Sequence, residues 1–161
     1  MKVYDAATIA NKFIALAKQD DIIVTNMKLQ KLVYIAHGYC LAILSRPLIS
    51  NDVHAFEFGP VIPTLYNRLK KYGSKPIEDS MQTDSPDLAE NGLADTIVSR
   101  VWDAYKNLDA LKLSAITHES DTPWEETWQT DKYGIIPPDV IKGHYKQLLD
   151  ERAEIKPQST F

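Results

Sequence analysis

Met27-Lys28-Leu29-Gln30-Lys31-Leu32-Val33-Tyr34 opens the longest helical pattern in the chain, and its reading decides the fold. Thr25 or Asn26 can accept the unsatisfied amide hydrogen bonds of a helix start, and Leu29, Leu32, Val33, Ala36, Cys40 and Ile43 then recur every three or four residues. That spacing sets them on one face for roughly four turns or more. The pattern stops at Ser45-Arg46-Pro47, where proline lacks an amide hydrogen and crowds the preceding turn. Beside the apolar stripe, Lys28, Lys31 and Ile35 form one edge, and Gln30, Tyr34, His37 and Leu41 form another. Two readings stay open here: a solvated lysine face with Tyr34 half-buried, or a charged and aromatic edge that holds a partner. On the second, reversing the charges of Lys28 and Lys31 is expected to weaken the partner and spare the fold.

On the N-terminal side, Ile9, Phe13, Ile14 and Ala17 give a first helix over 5–18, broken by Asp20-Asp21. On the C-terminal side, residues 47–60 carry Leu48, Val53, Ala55, Phe56 and Phe58 around Asn51-Asp52, a composition suited to one short β-hairpin or extended excursion. Pro63 fits the first turn of a third helix that stops at Gly73. Residues 74–91 are polar and read as a surface loop with one short helical turn around Asp87 to Glu90. Ile97, Val98, Val101, Trp102 and Tyr105 mark a helix over 94–108, and Leu111, Leu113 and Ile116 a shorter one ending near His118. Pro123 starts another, with Trp124 and Trp128 on one side, and the last begins after Pro137-Pro138. The expected fold is mainly α: a compact bundle of about six to seven helices with one short hairpin or excursion around residues 47–60. One domain over 1–150 and a frayed tail over 151–161 complete the expectation.

Composition narrows the function. A chain of 161 residues with 44% hydrophobic and 25% charged residues builds one soluble core. No apolar run approaches the ~20 residues of a membrane span, and Met1-Lys2-Val3-Tyr4-Asp5 does not open like a secretory signal, so the chain is expected in the cytoplasm with no membrane partner. A net charge of -4 argues against binding nucleic acid through bulk electrostatics. The single cysteine, Cys40, lies on the core stripe and reads as a small buried hydrophobe rather than a nucleophile. His37 and Cys40 are the one helical pair with ligand spacing, with no second pair beside it, so no metal is expected. Phosphate-binding glycine loops and nucleophile elbows are absent from the sequence. No cofactor and no catalytic residue is expected.

Phe56-Glu57-Phe58-Gly59-Pro60-Val61-Ile62-Pro63, running on to Tyr66, is a stiff aromatic and proline turn. It reads either as a rigid turn that aims the next helix or as part of a binding surface, and Gly59 before Pro60 must be extended or unusual. His118-Glu119-Ser120-Asp121-Thr122-Pro123-Trp124 is a charged loop closed by an indole. Pro123 with Glu125-Glu126 complements a helix start, and Trp124 reads as core closure. His118 is less well explained, and a pairing with Glu119 or Asp121 would suit an enzyme or small-molecule sensor.

These three stretches resemble the Panacea domain, also called the SocA-like or GepA-like domain, of phage-associated proteins and toxin-antitoxin antitoxins. Lys28-Leu29-Gln30-Lys31-Leu32-Val33-Tyr34 with Ala36-His37-Gly38 and Pro47-Leu48 is similar to its opening signature. Ala55-Phe56, Gly59-Pro60-Val61, Pro63 and Tyr66 resemble its second, and Thr117-His118 with Pro123-Trp124 its third. Phe56 and His37 depart from the tryptophan and glutamine frequent in the family. The resemblance implies a helical domain that neutralises a toxin encoded nearby by binding it directly, and that in some members delivers it to a protease. Partner-binding residues on this reading are Lys28, Gln30, Lys31, Tyr34, Phe58, Gly59, Pro60, Tyr66, His118 and Trp124. A homodimer stays open.

Overall fold

The computed structural model describes residues 2–84 and 87–155. Its helices are α1 (Ala6–Asp20), α2 (Asn26–Leu44), α3 (Pro63–Leu69), α4 (Leu93–Tyr105), α5 (Ala110–Thr117), α6 (Pro123–Thr130) and α7 (Pro138–Ile155), with strands β1 (His54–Phe56) and β2 (Gly59–Val61). The mainly α fold with one small hairpin is as the sequence predicts. Local chemistry sets most boundaries. Asp5 accepts from the Ala7 amide to start α1, and Thr25 from Lys28 to start α2. Asp109 accepts from the Lys112 amide ahead of α5, and Thr122 from Glu125 ahead of α6. The first two helices end on Asp21 and Ser45 in the left-handed conformation, whose amides close back onto the last turns.

α2 is the post around which the rest is built. Every residue from Lys28 to Ala42 is buried, because α1, α3, α4, α5, α7 and β2 all pack against it. A helix surrounded in this way has no solvent face. The sequence reading gave α2 one core stripe and two lateral edges; the neighbours cover those edges too, since α7 lies against Gly38 and the hairpin against Lys31.

The hairpin pairs His54 with Val61, Ala55 with Pro60 and Phe56 with Gly59. It therefore reverses at Glu57-Phe58, not at Asn51-Asp52. Asn51 instead turns its side-chain oxygen to the Ala6 amide at the start of α1. The outer edge of β1 is taken by the segment after α6: Ala55 N–H donates to the Gly134 carbonyl, Tyr133 N–H to the Ala55 carbonyl and Ile136 N–H to the Val53 carbonyl.

Residues 74–84 form an anchored strap rather than a loose loop. Ile77 is buried and its amide donates to Val24, while Asn11 makes a two-way amide pair with Met81 at 2.8 and 2.7 Å. The helical turn expected over 87–90 is not formed; Ala89 to Gly92 makes a reverse turn closed by a 3.0 Å hydrogen bond. α7 continues to Ile155, through the first residues of the expected tail, whose remainder over 156–161 lies outside the described residues. No described helix is long and apolar enough to cross a membrane.

Candidate functional site

Three side chains from three helices fix the hairpin turn by taking its carbonyls. Lys31 Nζ on α2 donates to the Pro60 carbonyl at 2.7 Å, Ser114 Oγ on α5 to Phe58 at 2.7 Å, and Trp124 Nε1 on α6 to Phe56 at 2.6 Å. A fourth contact comes from Gln30, whose Oε1 accepts the Ile62 amide at 2.9 Å while its Nε2 donates to Asn26. Gly59 makes the turn possible. Its φ is +121°, and a Cβ there would stand 3.1 Å from the Lys31 ammonium.

Because the carbonyls of Phe56, Phe58 and Pro60 are engaged from inside, the Phe58 ring is directed out, with 65% of its surface exposed. Tyr66 at the second turn of α3, Met27 at the start of α2 and Tyr133 after α6 are exposed beside it. Between them lies a cleft of about 300 Å³, floored by Gln30, Lys31 and Val61. Aromatic rings support the hairpin from behind. His118 meets Trp124 edge to face at 5.3 Å, Trp124 stacks on Trp128 at 5.8 Å, Trp128 meets Tyr133 at 5.2 Å, and Tyr133 meets Phe56 at 5.4 Å.

Burial sets the electrostatics here. Lys31 is 2% exposed, and loss of hydration pulls its ammonium down to about 8. Tyr34 is buried against Tyr145, its phenol has no hydrogen-bond partner among the described residues, and burial raises its pKa. His37 Nδ1 accepts the Leu48 and Ile49 amides at 3.2 and 3.4 Å, and burial lowers the ring to about 4. The Cys40 thiol is pushed up to about 11 by its apolar surroundings, unsuited to nucleophilic attack. No group of three or more potential metal ligands occurs among the described residues.

The structure thus sorts the ten residues singled out from the sequence. Gln30, Lys31, Phe58 and Tyr66 meet in the cleft, Gly59 and Pro60 shape it, and His118 and Trp124 lie behind it. Tyr34 is deep in the core. Lys28 points elsewhere, donating to the Lys106 carbonyl at the end of α4 at 2.6 Å and standing 5.8 Å over Trp102. Neither lysine is on a solvated face, so the expected harmless charge reversal is corrected. A carboxylate at 28 or 31 would be buried against a backbone carbonyl. His118 has Nδ1 against the Ser114 carbonyl, and no carboxylate of the described residues stands within ion-pair distance of it. Met27, Val61 and Tyr133 line the cleft without having been singled out. Tyr133 comes from a loop with no periodicity to read, at a positive φ of 65°.

The protein is thus a mainly α domain built on one buried helix, with an aromatic hairpin clamped to it. The chain belongs to the family described as Antitoxin SocA-like, Panacea domain, whose profile matches residues 29–125. It is similar to Antitoxin SocA of Caulobacter vibrioides (strain NA1000 / CB15N), with 33% identity over 135 residues, covering 75% of this chain and 69% of the relative. No solved structure matches at the same stringency.

Proposed function

We propose that this chain is a cytoplasmic antitoxin that neutralises a toxin encoded nearby by holding it against the cleft beside the hairpin, without catalysis. Membership of an antitoxin family supports the role. The observation that carries the location is the exposed Phe58, held outward by a turn whose three inner carbonyls are each bonded by a different helix. A rigid exposed aromatic beside further exposed apolar residues suits an interface anchor, because little conformational entropy is lost when it docks. An interface of about 800 Å² per partner would suffice for stable capture. Delivery of the bound toxin to a protease is compatible with this arrangement.

Growth rescue tests the proposal. The reading frame adjacent to this one is expressed alone and with this chain, and the two products are co-purified. Arrest by the neighbour, relief by this chain and a stable complex are the expected results. A toxic neighbour that this chain neither relieves nor binds would overturn the reading.

A further inference from the structure

We propose that the cleft receives an extended segment of the toxin in which an acidic side chain reaches Lys31 and a neighbouring bulky apolar residue seats against Phe58, Tyr66 and Tyr133. This rests on the antitoxin reading and supplies the partner chemistry that reading leaves unnamed. Lys31 has three protons to donate and gives one to the Pro60 carbonyl. No carboxylate of the described residues stands within ion-pair distance of its ammonium. A buried cation without a counter-ion is costly, and a carboxylate brought by a partner offsets part of that cost while using the remaining protons. Among the described residues Glu57 is the one carboxylate lining the cleft, and it stands exposed on the hairpin turn, so the attraction for an acid is at the floor and not at the rim.

The mode of seating follows from the hairpin. The outer edge of β1 is already bonded to residues 133–136, and the inner carbonyls of the turn are held by Lys31, Ser114 and Trp124. A segment cannot dock by adding a strand there. It must be read by side chains: one charge at Lys31 and one apolar group among the rings.

The test is to pan the full chain against a displayed library of random linear peptides about a dozen residues long, and to measure binding of the enriched peptides by calorimetry. The expected peptides carry Asp or Glu beside a large apolar residue. Replacing that acid by its amide should weaken binding to the unaltered chain at least about tenfold, as should Phe58→Ala or Lys31→Met. The amide peptides keep the test valid if Lys31→Met fails to fold. Enriched peptides without an acid, amide peptides that bind equally, or no enrichment at all would each overturn the inference. If peptides bind as expected but growth rescue fails, the antitoxin reading falls and the cleft's chemistry stands; rescue without peptide binding places the toxin on another surface.

Discussion

Gly38 on α2 faces the ring of Tyr145 on α7 so closely that a methyl group at position 38 would overlap its Cγ, Cδ2 and Cε2 atoms. Tyr145 also meets Tyr39 at 4.8 Å and Tyr34 at 6.0 Å, so this close approach seats α7 on the central helix. Gly38→Ala should therefore destabilise the domain by overpacking, by about 1–3 kcal/mol, although alanine is the better helix former. Urea unfolding checks this. A stabilised variant would show that α7 does not depend on the contact.

His37 makes stability depend on pH. Its folded pKa lies near 4, against an ordinary 6.5. The unfolded chain takes up a proton as pH falls below about 6.5 while the folded chain does not, so this contribution is complete above that pH and is lost toward about 4. The loss amounts to roughly 3 kcal/mol. Burial lowers His144 as well, which adds in the same sense. Thermal unfolding of His37→Gln, whose amide oxygen can accept the same backbone amides, should fall less steeply across this range than that of the unaltered chain.

Phe58→Ala should leave unfolding within about 0.5 kcal/mol, since the ring is mostly in solvent. Its effect belongs to the partner: a loss of about 2 kcal/mol or more in toxin affinity and failure of rescue. Unchanged affinity, measured by calorimetry on the co-purified toxin, would remove Phe58 from the interface.

Gly59→Ala combines a positive-φ backbone with a Cβ pressed on the Lys31 ammonium. A destabilisation of about 1–3 kcal/mol is expected, together with weaker toxin binding as the turn moves. Circular dichroism melts and calorimetry separate the two effects.

Trp124→Phe keeps an aromatic ring beside His118 and Trp128 and removes the donor to the Phe56 carbonyl. Phe56 stays paired with Gly59 in the hairpin, so losing the indole hydrogen bond alone should cost about 0.5–1.5 kcal/mol in urea unfolding. Partner binding should also weaken, because one of the three clamps on the turn is gone.

Helical periodicity, capping residues and the prolines at 47, 63, 123 and 138 made nearly every helix legible, because those signals depend on neighbours a few residues apart in sequence. The strap over 74–84 was harder to read. Its few apolar residues, Ile77 and Met81, are held by Val24 and Asn11 from remote parts of the chain.

The sequence by itself determined the helical order and a short hairpin or excursion around residues 47–60, and it placed Gln30, Lys31, Phe58 and Tyr66 among ten residues of interest. Only the tertiary structure decided what the lysines do. Periodicity can place Lys28 and Lys31 on an edge of α2, but exposure depends on which helices pack against that edge, and those are remote in sequence, the Lys28 partner lying 78 residues away. Packing on every side turned one lysine into a clasp for α4 and made the other the cationic floor of a cleft. Tyr133 joined that cleft for the same reason, through hydrogen bonds between its loop and β1.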